Sequence, residues 1–149
     1  MPASPASPAP AASAPPKLVP EDFSVDPGTF IQKRIGLWHE PDAKALLGEP
    51  VGRRPSLDEN GEQNGEILAF ADPTGKYSQM ELDFDRQYGH LRTVFLYPHN
   101  LTWNECRHLW GGHVNATLAN KGRRFYSYVD KKLDVLVDPS GKVISLGLY

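Results

Sequence analysis

The sequence contains a single cysteine, Cys106, among its 149 residues. One cysteine cannot form an internal disulfide, which excludes a disulfide-stapled scaffold but leaves the cellular compartment open. Charge is nearly balanced, since 16 basic and 18 acidic residues give a formal net charge of -2. This balance gives no indication of nucleic acid or an anionic membrane as a partner. No apolar run approaches the roughly 18 residues of a transmembrane segment.

Motifs with known chemistry are also missing. The sequence has no G-x-S-x-G elbow, no P-loop and no G-x-G-x-x-G fingerprint. Cys106, His108 and His113 are close in sequence, but zinc sites need three or four ligands in recognisable paired spacing. On a helix, Cys106 and His108 would diverge by about 200°. We therefore predict a buried cysteine and surface histidines, with no metal site, no cofactor and no catalytic activity.

The first twenty residues are almost all alanine, proline and serine, with no charged side chain before Lys17. Such a segment has too little apolar bulk for a core, and its prolines interrupt helices and strands. We predict a disordered tether over residues 1–24, followed by one compact domain in two parts, 25–98 and 99–149. Exported bacterial proteins often carry such tethers, so a periplasmic or cell-envelope location is expected if the protein is exported. A cytoplasmic location stays open.

Strands are predicted from alternation and from turn signals. Met80, Leu82 and Phe84 alternate with polar residues in segment 76–85, which is typical of a strand with one buried face. Asp138-Pro139-Ser140-Gly141 separates two apolar runs and predicts a hairpin, because proline presets φ and glycine accepts a positive φ. The other predicted strands are residues 66–71, 90–97, 124–129, 132–138 and 142–149, and the predicted loops are 51–65 and 113–123.

Three short helices are predicted from their start and stop signals. An acidic, threonine or proline residue marks each start, and glycine marks the ends of the last two. The signals are Asp26-Pro27 for the first helix, Pro41 and Gly48 for the second, and the Thr102–Glu105 capping box with Gly111-Gly112 for the third.

The last strands of the two parts resemble each other. Both contain a hairpin followed by an apolar strand ending in tyrosine, and the matched positions are Gly89 with Gly141, Val94 with Leu146, Leu96 with Leu148 and Tyr97 with Tyr149. We predict an α+β fold of two related units, each a helix followed by a three-stranded antiparallel meander, with short helices on one face of the sheet. The predicted inward residues are Leu46, Leu47, Met80, Leu82, Phe84, Val94, Leu96, Leu109, Val135, Val137, Leu146 and Leu148.

These patterns carry a resemblance to a known family. Ile35-Gly36-Leu37-Trp38, then Ala45-Leu46-Leu47-Gly48-Glu49-Pro50, and a meander ending in a D-x-x-G-type hairpin resemble the SmpA/OmlA (BamE-like) envelope lipoproteins and the tandem-repeat fold of the β-lactamase inhibitor protein BLIP. Leu101-Thr102-Trp103 and Leu109-Trp110-Gly111 repeat the pattern more loosely. The resemblance implies a non-catalytic periplasmic or secreted module that holds a protein partner with its sheet face and loops.

A candidate partner-binding surface follows from two strands. Glu81 and Asp83 share one strand face and are expected to give the open sheet face an acidic character suited to a basic partner. Tyr126 and Tyr128 share a face of a later strand, and exposed tyrosines are enriched at binding hot spots. The predicted partner-binding residues are Glu81, Asp83, Arg92, Tyr126 and Tyr128.

Two alternative functions stay open. One is a small ligand-binding domain or enzyme with a site between the halves that uses His90, His99 or His113 beside an acid. The other is a structural accessory that joins a larger assembly through the tether. The expected partner in the preferred interpretation is a protein, without nucleic acid or a transmembrane segment and with peripheral association with the envelope.

Overall fold

The structure, a computed structural model, describes residues 19–149. Residues 1–18 of the predicted tether, which spans residues 1–24, therefore lie outside the described residues. Four α-helices and eight β-strands are present among them. The helices are α1 (Glu21–Val25), α2 (Pro27–Gln32), α3 (Glu40–Leu47) and α4 (Trp103–Trp110). The strands are β1 (Gly52–Leu57), β2 (Gln63–Phe70), β3 (Tyr77–Asp85), β4 (Leu91–Pro98), β5 (Asn115–Leu118), β6 (Arg124–Tyr128), β7 (Leu133–Val137) and β8 (Val143–Leu148).

All eight strands form one antiparallel sheet in the order β1-β2-β3-β4-β8-β7-β6-β5. Strands β1–β4 form one meander and β5–β8 form another, and the two meet where β4 pairs with β8. This junction is short, since it consists of Val94 opposite Leu148, Phe95 opposite Gly147 and Leu96 opposite Leu146. The predicted α+β class with an antiparallel sheet is confirmed.

Helices α2, α3 and α4 begin at or next to the predicted start signals, and α3 and α4 end at the predicted glycines. The Asp26 carboxylate accepts from the Thr29 backbone N–H at 3.1 Å at the start of α2. Thr102 and Glu105 form the predicted capping box at the start of α4. Helices α3 and α4 end at Gly48 and Gly111, whose φ values of 87° and 86° disfavour any side chain.

The core lies between the helices and one face of the sheet. Every helix contributes to it, and Phe23, Ile31, Ala43 and Cys106 are fully buried. The predicted inward residues of the strands are all buried there: Met80, Leu82, Phe84, Val94, Leu96, Val135, Val137, Leu146 and Leu148. We call this side of the sheet the helix face and the opposite side the open face.

The prediction that Leu109 lies in the core is wrong, because this residue is 67% exposed. Trp103, Cys106 and Trp110 are spaced by three, then four residues and share the stripe of α4 that contacts the core. Leu109 lies to the side of that stripe.

Three predicted irregular segments contain regular structure. Strand β1 lies in the predicted loop 51–65, and β5 lies in the predicted loop 113–123. Both are edge strands with mostly exposed residues, so they lack the alternation that identifies a strand. Helix α1 lies mostly within the predicted tether, where Phe23 packs edge-on against Phe30 with ring centroids 5.3 Å apart. Each meander therefore has four strands rather than three.

Candidate functional site

The sheet register decides which side chains occupy the open face. Leu82 and Val94 are opposite each other on the helix face, so their neighbours Glu81 and Phe95, which are also paired, project from the open face. Carried across the sheet, the same alternation assigns these further residues to the open face: Arg54, Ile67, Asp83, Tyr97, Phe125, Asp134 and Leu136. Strict alternation would put Arg92 on the helix face, but the register shift between the Asp83–Thr93 and Phe84–Leu91 pairs brings it to the open face, where it contacts Asp83. Within residues 19–149 all four helices pack on the opposite side.

Glu81 is the centre of one cluster on the open face. Its carboxylate accepts from Arg54 Nη2 at 3.0 Å and from the Tyr97 hydroxyl at 2.5 Å. Glu81 raises the pKa of the Arg54 guanidinium. Burial, then the hydrogen bond to Glu81, raises the pKa of Tyr97 to about 12. Tyr97 is therefore a protonated donor at any physiological pH, and the three side chains form a fixed array.

Asp83 is the centre of a second cluster. Arg92 donates to it with two nitrogens, Nε at 2.9 Å and Nη2 at 3.2 Å, which is the two-point geometry of strong charge-assisted pairs. Arg92 Nη2 also donates to Asn64 Oδ1 at 2.8 Å and to Ser56 Oγ at 3.1 Å. The guanidinium thus joins side chains from β1, β2 and β3 and fixes their relative position.

The predicted acidic character of the open face is wrong. The Glu81 and Asp83 side chains are only 10% and 9% exposed, whereas those of Arg54 and Arg92 are 54% and 32% exposed. Arg92 reaches Asp83 from the neighbouring strand β4, and Arg54 reaches Glu81 from β1 across β2. The guanidinium groups are therefore more exposed to solvent than the carboxylates beneath them. Charge order along a strand did not reveal this, because it depends on which strands are adjacent.

The two tyrosines of β6 are not on this face. Tyr126 is opposite Val135 and Tyr128 is opposite Leu133, and both partners belong to the core. Tyr126 stacks on Trp103 with ring centroids 3.7 Å apart. Tyr128 is 2% exposed, and its hydroxyl donates to the Gly111 carbonyl at 2.6 Å. The expectation of an exposed tyrosine pair beside Glu81 and Asp83 is therefore wrong, and both tyrosines hold α4 against the sheet.

Sequence reasoning missed Arg54, Phe95 and Tyr97. Phe95 and Tyr97 alternate with the buried residues Val94 and Leu96 in β4, so alternation alone could have assigned them to the outer face. Arg54 lies in β1, inside the predicted loop 51–65, and no sequence signal pointed to it.

Asp85 is the last residue of β3, two positions after Asp83. Its carboxylate accepts from the backbone N–H groups of the β3–β4 turn, and these hydrogen bonds lower the pKa of Asp85.

The candidate catalytic residues do not assemble. Burial raises the pKa of the Cys106 thiol to about 11, so it is a poor nucleophile. His90 packs against His39 with ring centroids 4.5 Å apart, and His99 Nε2 lies 3.1 Å from the Gly75 carbonyl. His113 lines an open surface cleft with Asp130. Among residues 19–149, no group of three or more histidine, cysteine or acidic side chains is placed to hold a metal.

One cavity lies between the two meanders, as the ligand-binding alternative expected. It has a volume of about 240 Å³ and lies on the helix face, between α2, α4 and the β4–β8 junction. Its lining contains no histidine, so it does not match the predicted histidine site.

No helix in the described part of the chain is long and apolar enough to cross a membrane. Comparison of the chain with family models, with curated proteins and with solved structures found no match.

Proposed function

We propose that this protein is a non-catalytic binding module that holds a protein partner on the open face of its sheet. The observation that carries the proposal is a broad sheet face that no helix among residues 19–149 covers. Its polar side chains are already fixed in pairs before any partner arrives. Fixed side chains lose less conformational entropy on binding, which favours affinity.

The chemistry of the open face favours a partner with acidic or neutral acceptor groups. Arg54 and Arg92 are the outermost charges, and Phe95 and Tyr97 lie beside them on β4. Arginine and tyrosine are enriched among residues that dominate binding energy. Each guanidinium is held by an acid beneath it, so a partner carboxylate can approach without an arginine having to reorient.

We further propose that the two halves are copies of one unit. A shift of 52 residues relates segment 94–96 of β4 to segment 146–148 of β8. If the two segments are related by a two-fold axis, the first residue of each must pair with the last residue of the other. The β4–β8 pairs have this arrangement, with Phe95 opposite Gly147 at the centre. A shift of 63 residues relates α3 to α4, with Ala43 matching Cys106 and Gly48 matching Gly111. The Leu91 N–H donates to the Trp38 carbonyl, and the Val143 N–H donates to the Leu101 carbonyl, which fits the same correspondence.

This organisation supports the similarity to the BamE-like and BLIP-like modules stated for the sequence. We therefore propose a role in the bacterial cell envelope, as a periplasmic or peripherally associated protein.

The proposal is tested by capture of partners from an envelope fraction with the full chain. The test variant is Arg54→Gln combined with Phe95→Ala, which removes an outward charge and an aromatic contact and leaves the Tyr97–Glu81 and Arg92–Asp83 hydrogen bonds in place. We expect the wild-type chain to retain one partner at a constant molar ratio and this variant to retain at most a tenth of it. The partner surface is then mapped by crosslinking from Phe95.

The matched control is Arg107→Gln combined with Leu109→Ala. Both residues are exposed and lie on α4, on the opposite side of the sheet from the open face. Equal loss of the partner in the test and control variants would contradict a contact on the open face. Crosslinks confined to α3 or α4 would do the same.

A further inference from the structure

The cavity between the meanders has an apolar floor. Leu96 of β4 and Leu146 and Leu148 of β8 form this floor, and each is at most 7% exposed. Helix α2 bounds one side, where the Gln32 side chain donates to the Lys131 and Lys132 carbonyls and fixes the helix to the second half. The cavity is therefore bounded by elements from both halves.

The cavity exists because only the first half carries helices α1 and α2. Helix α2 lies over the β4–β8 junction so closely that a Cβ at Gly28 would meet Leu96 Cδ1 at 3.0 Å. In the second half only four residues separate the end of β4 at Pro98 from the start of α4 at Trp103. Nothing in that short connection can cover β8 as α2 covers β4.

Two aromatic donors line this cavity without a protein partner. Among residues 19–149, the Tyr77 hydroxyl and the Trp110 indole N–H make no hydrogen bond. Both side chains are partly buried against the core, so a ligand acceptor in the cavity would replace water at these donors. Trp110 packs edge-on against Tyr128 with ring centroids 5.8 Å apart, and the Tyr128 hydroxyl is itself bonded, so this wall is held in place.

The charged residues of the lining are balanced, because Asp26 and Lys131 have opposite signs, and this favours an uncharged ligand. Burial, followed by the nearby carboxylates of Asp26 and Asp72, raises the pKa of Tyr77 to about 12. Tyr77 is thus a neutral donor at physiological pH. The Asp26 carboxylate already accepts two hydrogen bonds from Thr29, which leaves it as the cap of α2.

We infer that this cavity is a binding site for a small uncharged molecule with one ring, or a branched aliphatic body of similar size, that carries a hydrogen-bond acceptor such as a ketone or amide oxygen. The body lies on the three leucines, and the oxygen accepts from Tyr77 and Trp110. A volume of about 240 Å³ is below the roughly 300–1,000 Å³ of sites for drug-sized ligands, which limits the ligand to one ring. The site is on the opposite side of the sheet from the proposed partner surface, so either function can be present without the other.

The inference is tested by titrating the full chain with three ring compounds of similar size. Acetophenone is uncharged and has an acceptor, toluene lacks the acceptor, and benzoate is anionic. The readout is the Trp110 indole N–H resonance in a two-dimensional NMR spectrum, identified by its loss in Trp110→Phe. We expect acetophenone to shift this resonance with a dissociation constant at least threefold lower than those of toluene and benzoate.

The variant Tyr77→Phe separates recognition of the acceptor from simple filling of the cavity. Loss of one neutral hydrogen bond is expected to weaken acetophenone binding about threefold to tenfold and to leave toluene binding within twofold. The matched control Tyr88→Phe, at a residue outside the cavity, should change neither. A Tyr77→Phe variant that weakens both compounds equally would overturn the role of the donor.

Three further outcomes would overturn the inference. The first is the absence of any Trp110 shift at millimolar concentrations of all three compounds. The second is acetophenone binding that occurs only after deletion of residues 1–18, because the occupant of the cavity would then be the chain's own N-terminal segment. The third is equal affinity for benzoate and acetophenone, which would reject the uncharged ligand class.

Discussion

At the scale of single residues, the open face is organised by arginines that cover acids. Counted as whole residues, Glu81 and Asp83 are 8% and 6% exposed, and each carboxylate has a guanidinium nitrogen within 3.0 Å. Buried carboxylates require such partners, because removal from water without compensation is costly. The arginines therefore stabilise the sheet by pairing with the buried acids, and they are also the charged groups that a partner on the open face would contact.

The Tyr97–Glu81 hydrogen bond leads to a pH-dependent prediction. The ordinary tyrosine pKa of 10.0 is raised to about 12 in the folded protein, so the folded state retains the phenol proton longer than the unfolded state does. The contribution of Tyr97 to the free energy of unfolding is fully present below pH 10 and is lost as pH rises from about 10 to about 12. We expect Tyr97→Phe to flatten this alkaline decrease, as measured by urea unfolding at several pH values.

The variant Glu81→Gln gives the companion measurement. Burial is the main cause of the raised pKa and stays in place, so the pKa of Tyr97 should fall only part of the way towards 10. Titration of the Tyr97 ring carbon by NMR, with the resonance assigned from Tyr97→Phe, reads this directly. An unchanged titration in Glu81→Gln would mean that the hydrogen bond is absent in solution.

At the scale of elements, the glycines that end α3 and α4 fix where each helix stops and the chain turns into a meander. Gly111 has a φ of 86°, where a side chain is strained, whereas its neighbour Gly112 has no positive φ. We expect Gly111→Ala to lower the free energy of unfolding by about 1–2 kcal/mol. Thermal and urea unfolding measure the difference.

Gly112→Ala is the matched control for this prediction. A Cβ at Gly112 would lie 3.9 Å from Arg107 Nε, an ordinary contact, so the change should stay within about 0.5 kcal/mol of wild type. Equal effects of the two substitutions would contradict a cost that arises from the positive φ of Gly111, because alanine by itself restricts the unfolded chain and favours folding.

At the scale of the whole molecule, the halves are joined by α2 and by one pair of strands, β4 and β8, which share three residue pairs. One core cluster nevertheless contains buried residues from both halves, from Phe23 to Leu148. We expect Gly28→Val to push α2 away from Leu96 and Leu148 and to lower the free energy of unfolding by about 1–3 kcal/mol. The two halves should still unfold together, with coincident urea transitions by tryptophan fluorescence and far-ultraviolet circular dichroism.

Gly52→Val is the control at this scale. Gly52 begins the edge strand β1, and its nearest neighbour would be Ala69 Cβ at 3.8 Å, so valine fits there without displacement. Two separate transitions in Gly28→Val, with only one shifted, would contradict a core shared by the halves.

The sequence alone determined the local structure where one residue has a direct physical effect. Proline and capping residues set the helix starts, glycine set the helix ends and the Asp138–Gly141 turn, and alternation in β3 identified its buried face. Strands β1 and β5 were not predicted, because edge strands bury few side chains and do not need alternating apolar residues. The N-terminal helix α1 escaped because one buried phenylalanine is too weak a signal.

Only the tertiary structure decided which face of each strand packs against the helices and which side chains from distant segments come into contact. Alternation placed Tyr126 and Tyr128 on one side of β6, but only their pairing with Val135 and Leu133 directs them to the core. In the same way, the order of the strands brings Arg54 and Arg92 over Glu81 and Asp83, so that guanidinium groups cover the two acids. The physical reason is that side-chain direction is a local property of the backbone, whereas burial and charge environment depend on contacts between distant segments.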